Sequence, residues 1–151
     1  MPTLAFEDFQ PGQRFRLGTY EVTEAEIVDF AERFDPQPFH TDVQAASESP
    51  FGGLIASGWH TASVFMRLYV DAVLADSLSM GSPGIEQLRW LHPVRPGDRL
   101  TGSFIVEAVH PSGKRADRGT VMFRGEMSNQ EAVTVLTMTG RGYFGRRAMS
   151  E

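Results

Sequence analysis

The segment between residues 57 and 74 constrains the fold of this chain more than any other. Its apolar side chains occupy most of the helical circumference, and they are Ala62, Val64, Phe65, Met66, Leu68, Tyr69, Val70 and Val73. A helix that is apolar on most sides is normally enclosed by other elements. Ser57 is a suitable N-cap residue, so the pattern predicts a buried helix that follows it and ends near Leu74 or Leu78. We expect this helix at the centre of the fold.

The chain after this helix alternates between polar and apolar residues, as β-strands do. The predicted strands cover residues 85–91, 104–109, 120–127 and 132–143, with turn signals at 96–98 and 128–131. Short turns between consecutive strands indicate antiparallel pairing. Antiparallel strands beside one buried helix predict an α+β fold, and a length of 151 residues favours a single domain.

A shorter helix is predicted before the central one. Thr23 and Glu26 have the spacing of a capping box, in which a hydroxyl and a carboxylate three residues later satisfy the first backbone amides. Apolar residues then recur at helical spacing, namely Ile27, Phe30, Ala31 and Phe34. This helix should end near Arg33 or Phe34.

The segment that follows holds an acid and an imidazole. Pro36 disfavours helical geometry in Asp35, and Pro38 should keep the next stretch extended. Residues 35–40 are therefore predicted to form a stiff loop, and stiffness suits groups that must be held in position for catalysis. An imidazole such as that of His40 can both accept and donate a proton near neutral pH. A carboxylate can orient it or act as the base, so the two side chains could hold a water molecule.

A glycine stands at the start of the predicted central helix. Gly58 leaves an amide N–H unpaired at the helix N-terminus, with the helix dipole behind it. Such an amide can stabilise negative charge that develops on a carbonyl oxygen. The alternative interpretations are a glycine that only permits close packing, an aspartate that caps backbone amides, and a solvated histidine.

These features together resemble the MaoC-like acyl dehydratases, which include the (R)-specific enoyl-CoA hydratases. The matching segments are DPQPFHTD at 35–42, FGGLIASG at 51–58 and RWLHPVRPGD at 89–98. The resemblance extends over nearly the whole chain and implies one hot-dog domain over residues 1–151, in which an antiparallel sheet wraps a long central helix. It also implies a homodimer or a higher homo-oligomer, an active site near the subunit interface, and acyl-CoA thioesters as substrates.

The resemblance further implies a reaction and roles for residues. Asp35 and His40 would hold the catalytic water and exchange protons with it and with the α-carbon, while the Gly58 amide polarises the thioester carbonyl. Water would then add reversibly to a trans-2-enoyl-CoA and give an (R)-3-hydroxyacyl-CoA, with neither a metal nor a redox cofactor. The candidate substrate-binding residues are Phe39, Ser57, Trp59 and Ser63.

The chain departs from the family pattern at three positions, which leaves the acyl group unassigned. Well-known hydratases have asparagine at the position of Gln37, histidine at that of Ser57, and often serine near that of Met66. A hot-dog thioesterase is one alternative, but it would place an acidic residue on the central helix, and residues 57–70 contain none. A non-catalytic acyl-CoA-binding protein is another, and it predicts that Asp35 and His40 point away from any cavity.

Several other residues have a possible role. Asp42 is expected to cap the turn after it. His60 could face the pocket or be a core histidine, and Trp90 could shape an acyl pocket or belong to the core. Among the cationic side chains, Lys114 and Arg115 are the pair best placed to meet the phosphates of coenzyme A.

Composition and charge exclude other classes of function. The chain has no cysteine, so thiol nucleophiles, disulfides and cysteine-based zinc sites are excluded. Its four histidines have no metal-ligand spacing, and a net charge of −5 without a long basic run argues against a nucleic-acid partner. We find neither a signal-peptide pattern nor an apolar run of about 20 residues, so we expect a cytoplasmic protein that does not associate with membranes.

Overall fold

A computed structural model of the protein describes residues 4–147. Its strands are β1 (Arg14–Glu21), β2 (Gly84–Trp90), β3 (Arg99–Pro111), β4 (Arg118–Ser128) and β5 (Thr134–Gly145). Its α-helices are α1 (Glu24–Phe34), α2 (Pro38–Thr41), α3 (Val43–Ser47) and α4 (Gly58–Ala72). Short 3₁₀ segments lie at Phe6–Asp8 and Leu74–Asp76.

The five strands form one sheet in the order β1-β3-β4-β5-β2, and all neighbouring strands are antiparallel. Buried and less buried residues alternate strictly along β4 at the centre of the sheet, as expected for a strand with one face on a core. Strand β2 lies at an edge and is largely exposed. The long helix α4 packs on this sheet, which confirms the predicted α+β hot-dog arrangement.

Aromatic stacking joins α4 to the sheet. The ring of Tyr69 stacks on that of Phe104 with centroids 4.7 Å apart, and Phe104 stacks on Phe123 at 4.9 Å. Phe65 lies so close to β4 that a Cβ on Gly125 would be 2.8 Å from its Cε2 atom. The glycine therefore allows the helix and the strand to approach, and truncating one of these core aromatics to alanine should cost about 3–5 kcal/mol.

Two expectations for α4 are corrected. The helix ends at Ala72 rather than near Leu74 or Leu78, because the chain tightens there into a 3₁₀ turn. It is also not enclosed on most sides: the sheet covers one face, whereas Trp59 and Met66 on another face are exposed. Within the described residues 4–147, no helix has the length and apolar character needed to cross a membrane.

The predicted start and end of α1 are confirmed, whereas its capping box forms only in part. The Thr23 hydroxyl accepts from the Glu26 amide at 3.2 Å, and the helix ends at Phe34 as expected. The reciprocal half of the capping box is absent from the described contacts, because the Glu26 carboxylate instead accepts from the Tyr20 hydroxyl at 2.7 Å.

The stretch from residue 38 is helical, so the prediction that Pro38 keeps it extended is wrong. Pro38 is the first residue of α2, where a missing N–H removes no intrahelical bond and the fixed φ of proline fits. The Asp42 side chain caps α3 as predicted, by accepting from the amides of Gln44 and Ala45 at 2.9 and 3.1 Å. The non-helical loop is therefore shorter than expected and covers residues 35–37.

Candidate active site

Asp35 and His40 are in contact. The Nε2 atom of His40 lies 3.3 Å from Oδ2 of Asp35, and their side chains are 5% and 19% exposed. Asp35 follows the last residue of α1, and His40 is the third residue of the helical turn α2. The loop between them is thus short enough to bring a carboxylate and an imidazole together.

A backbone carbonyl fixes the orientation of the His40 ring. Its Nδ1 atom lies 2.7 Å from the carbonyl oxygen of Ile55, and the Ile55 amide donates to the carbonyl of Phe39 at 3.1 Å. A carbonyl oxygen only accepts, so Nδ1 must carry a hydrogen. In the neutral ring, the free lone pair is therefore on Nε2, the nitrogen that lies beside Asp35.

Two hydrogen bonds hold the Asp35 carboxylate. The Ser57 hydroxyl donates to Oδ2 at 2.7 Å, and the Gln37 side-chain amide donates to Oδ1 at 2.7 Å. Burial raises the pKa of Asp35, but these hydrogen bonds and the adjacent His40 together lower it by more, so the pKa lies below its ordinary value. Asp35 is therefore negatively charged at neutral pH.

The N-terminus of α4 lies next to this pair. Ser57 is its N-cap residue, and the same hydroxyl that donates to Asp35 accepts from the Trp59 amide at 3.3 Å. Gly58 is the first helical residue, and no acceptor among residues 4–147 pairs with its amide. Ser57 thus couples the carboxylate to a helix end that keeps a free N–H donor.

A cavity of about 370 Å³ lies over the imidazole and the helix end. We call it the catalytic cavity, and its lining includes Phe39, His40, Ile55, Gly58, Thr61 and Trp90. Asp35 is not among its lining residues and contacts the cavity through His40. His40 and Gly58 therefore border the same cavity.

The other predicted residues have different positions. Phe39 lines the catalytic cavity, whereas Ser57 is fully buried behind it and positions Asp35. Trp59 lines a second, more apolar cavity. Ser63 is exposed, donates to the Trp59 carbonyl at 2.8 Å and lines neither cavity. Arg115 is paired with Asp117 at 2.6 Å on the surface.

Sequence reasoning missed two contributors to the site and left the role of a third open. Gln37 was treated only as a departure from the family pattern, yet it hydrogen-bonds Asp35. The Ile55 carbonyl sets the His40 tautomer, and no side-chain pattern signals such a backbone contact. Trp90 was expected either to shape a pocket or to belong to the core; it lines the cavity and packs on Gly58 from the edge strand β2. Among residues 4–147, no three acidic or histidine side chains converge as metal ligands would.

Comparison with known proteins gives consistent matches. The model of the family described as MaoC like domain matches residues 8–124. A solved MaoC-like dehydratase from Rhodospirillum rubrum superposes with a TM-score of 0.87 and 41% identity, over 97% of this chain and 100% of that one. An (R)-hydratase from A. caviae superposes with a TM-score of 0.74 and 25% identity, over 90% of this chain and 97% of that one.

A curated relative agrees with these structures. A 3-hydroxybutyryl-CoA dehydratase from Methylorubrum extorquens is 34% identical over 116 residues, which cover 75% of this chain and 70% of the relative. The matched family segment contains the Asp35–His40 pair, the Gly58 helix start and the strand that follows. On this evidence, the chain belongs to the MaoC-like domain family.

Proposed function

We propose that the protein catalyses the reversible addition of water to a trans-2-enoyl-CoA, which gives an (R)-3-hydroxyacyl-CoA. The observation that carries this proposal is the 3.3 Å contact between His40 Nε2 and Asp35 Oδ2, beside a cavity that Gly58 also lines. The similarity to a 3-hydroxybutyryl-CoA dehydratase and to an (R)-hydratase supports the same class of reaction.

The first step uses the lone pair on His40 Nε2. A water molecule that contacts both Nε2 and the Asp35 carboxylate gives a proton to Nε2 while its oxygen forms a bond to C3 of the enoyl group. The carboxylate then faces an imidazolium, and the opposite charges stabilise each other. Nδ1 stays hydrogen-bonded to the Ile55 carbonyl, so the ring keeps its orientation during proton transfer.

The second step returns the proton to the substrate. Bond formation at C3 moves electrons through C2 to the thioester oxygen, where the free Gly58 amide donates a hydrogen bond. The Nε2–H then protonates C2, the carbonyl re-forms and His40 is neutral again. One water molecule is added in all, and no redox cofactor or metal is needed. Donors at such oxyanions contribute about 100- to 1,000-fold to kcat.

Two alternatives make different predictions. A thioesterase with an acid on the central helix lacks that acid here, because residues 57–70 contain neither Asp nor Glu. A non-catalytic acyl-CoA-binding protein predicts that Asp35 and His40 point away from any cavity, whereas His40 lines a cavity and lies 3.3 Å from Asp35. Hydration therefore accounts for more of the geometry.

We also propose that two copies associate along β2. This strand pairs only with β5 in the described sheet, so its other edge offers free backbone donors and acceptors. Large apolar side chains are exposed on β2, just after it and on the neighbouring face of α4, namely Trp59, Met66, Ile85, Trp90 and Leu91. Light scattering should give twice the monomer mass of 16.7 kDa. A monomer at all concentrations would contradict this association.

A panel of thioesters tests the reaction. Purified protein is mixed with crotonyl-CoA and with longer and branched enoyl-CoAs, and loss of the enoyl-thioester absorbance is followed. Chiral analysis of the product and a free-thiol reagent run in parallel. We expect absorbance loss without thiol release and an (R) product. Thiol release would support a thioesterase, and inactivity on every acyl chain would overturn the assignment.

A further inference from the structure

An arginine that the proposed reaction does not use lies at the edge of the catalytic cavity. Residues 91–94 form a continuous part of the cavity wall, and Arg95 follows them directly. Phe51 contributes to another part of the wall, and its backbone carbonyl accepts a hydrogen bond from Nη2 of Arg95 at 2.6 Å. The Arg95 side chain therefore connects two parts of the wall at the edge of the cavity.

The Arg95 side chain is held in position before a ligand binds. A Cβ on Gly53 would lie 3.2 Å from Nη1 of Arg95, so the guanidinium packs directly on the glycine backbone. The carboxylate of Asp98 accepts a hydrogen bond from the Arg95 amide at 2.9 Å and fixes the backbone at this position. A group that is already ordered loses little conformational entropy when it binds a ligand.

The positive charge of Arg95 has no carboxylate partner in the described part of the chain. Other arginines have one, for example Arg141, which is paired with Glu86 at 2.8 Å. Within residues 4–147, no carboxylate oxygen lies within 4 Å of the Arg95 guanidinium, and the Phe51 carbonyl is its one hydrogen-bond acceptor. Most of its N–H groups therefore remain available to a ligand.

A guanidinium with free N–H groups at this position favours an anionic ligand. Its planar fork binds a phosphate group through two parallel hydrogen bonds, which are stronger than those between neutral groups. The chain has a net charge of −5, so its surface as a whole does not attract anions. An anionic ligand of the catalytic cavity therefore needs a local cation, and Arg95 supplies one.

The cavity wall also connects Arg95 to the catalytic imidazole. The ring of Phe39 lies 4.6 Å from that of His40 and 5.2 Å from that of Phe51, measured between centroids. Arg95 is hydrogen-bonded to Phe51, so two ring contacts lead from the imidazole to the guanidinium. A thioester whose carbonyl meets Gly58 can thus extend its carrier along this wall toward Arg95.

We propose that Arg95 binds a phosphate group of the carrier to which the acyl group is attached. Coenzyme A has phosphates beyond its uncharged pantetheine arm, and the phosphopantetheine arm of an acyl carrier protein has the first of them. The inference rests on the proposed function for the thioester and adds the residue that recognises the carrier. It replaces the expectation for Lys114 and Arg115, which lie in the turn between β3 and β4, at the opposite end of the strands from Trp90.

Calorimetric titration with three saturated thioesters tests this contact without turnover. Butyryl-CoA has all the phosphates of coenzyme A, butyryl-phosphopantetheine has only the first, and butyryl-pantetheine has none. We expect the wild type to bind butyryl-CoA at least about tenfold more tightly than butyryl-pantetheine, because a hydrogen bond to a charged group changes affinity by that order or more.

Arg95→Gln should remove most of that difference. The glutamine amide keeps an N–H donor for the Phe51 carbonyl but has no charge. Affinity for butyryl-CoA should fall at least about tenfold, whereas affinity for butyryl-pantetheine should stay near the wild-type value. An equal fall for butyryl-phosphopantetheine assigns the contact to the phosphate that both carriers share. A fall for butyryl-CoA alone assigns it to the nucleotide phosphates of coenzyme A.

Two further variants separate the contact from effects on folding and on overall charge. Gly53→Ala retains Arg95, but the added methyl group displaces its guanidinium, so it should weaken butyryl-CoA more than butyryl-pantetheine. Arg99→Gln is the matched control, because it removes the same charge from an exposed residue at the start of β3 that lines neither cavity. It should leave both affinities near the wild-type values.

The outcomes separate this inference from the proposed function. Equal wild-type affinities for butyryl-CoA and butyryl-pantetheine would overturn the phosphate contact, as would equal or absent losses for the two thioesters in Arg95→Gln and Gly53→Ala. Hydration of crotonyl-CoA by the same wild-type protein would then leave the hydratase intact. A loss specific to the phosphate-bearing thioesters, without hydration of any enoyl-CoA, would support the contact and overturn the hydratase. No binding of any thioester would overturn both.

Discussion

The Nε2 atom of His40 and the Oδ2 atom of Asp35 lie 3.3 Å apart. Hydrogen bonds to other groups of the chain fix the orientation of both side chains. The Ile55 carbonyl holds the far side of the imidazole, while Ser57 and Gln37 hold the carboxylate. The geometry of the pair is therefore established before a substrate binds. Such preorganisation removes part of the entropic barrier to reaction.

Replacing Ser57 by alanine should raise the pKa of Asp35. The hydroxyl donates to the charged form of the carboxylate, so its loss favours the protonated form. The acid limb of kcat/KM that depends on ionised Asp35 should then move to higher pH. Carbon NMR of labelled aspartate carboxyl groups measures the shift directly. Loss of the N-cap should also lower the free energy of unfolding by about 1 kcal/mol.

Ser63→Ala is the control for this substitution. Ser63 lies on the same helix and is exposed, and its hydroxyl bonds the Trp59 carbonyl rather than Asp35. It should leave the titration of Asp35 unchanged. An Asp35 pKa that is the same in Ser57→Ala and in the wild type would contradict the role given to Ser57.

Gly58→Ala should destabilise the protein through Trp90. The added methyl group would meet the indole, and overpacking of this kind costs about 1–3 kcal/mol. When Trp90 is already replaced by alanine, Gly58→Ala should lower the free energy of unfolding much less, because the clash with the indole is absent. Urea denaturation of the two single variants and the double variant measures the coupling. Gly113→Ala, where a Cβ meets nothing within 4 Å, serves as the control.

His60 should make the folded state less stable as the pH falls. The ring is buried and stacks on Phe30, and its Nδ1 has no hydrogen-bond partner in the described part of the chain. Burial lowers the pKa of His60 by more than the nearby Glu26 carboxylate raises it. The unfolded chain therefore binds more protons below its ordinary pKa of 6.5, so stability is lost as the pH falls from that value toward the lower folded pKa.

His60→Phe keeps the aromatic stack and removes the titration. The difference in unfolding free energy between about pH 7.5 and about pH 5 should be smaller in this variant than in the wild type. His110→Gln replaces an exposed histidine and should leave that difference unchanged. An identical pH dependence in His60→Phe and the wild type would show that the buried ring contributes nothing.

Local rules accounted for much of the fold. Pro36 ended α1 at the predicted residue, and Ser57 and Asp42 capped the helices after them as expected. These outcomes depend on the backbone geometry of a few neighbouring residues, which sequence displays directly. Pro38 shows the limit, because proline suits both an extended segment and the first residue of a helix, and only tertiary packing decides between them.

Contacts between distant segments account for what sequence reasoning could not supply. The indole of Trp90 reaches Gly58 across the fold, and the Ile55 carbonyl reaches the His40 ring. The exposed face of α4 was also missed, since an apolar stripe does not reveal which side the sheet covers. The Asp35–His40 contact was anticipated because both residues lie on one short, proline-containing segment.

Hydration of crotonyl-CoA by pair variants tests the central claim most directly. Initial rates are measured for the wild type, Asp35→Asn, His40→Gln and the double variant, with circular dichroism and unfolding curves to verify folding. Each single substitution should lower kcat/KM by about 100- to 10,000-fold, as expected for loss of a general acid–base group. The double variant should be little worse than the worse single one, because the two residues act as a unit. Folded single variants that hydrate crotonyl-CoA at wild-type rates would contradict the account.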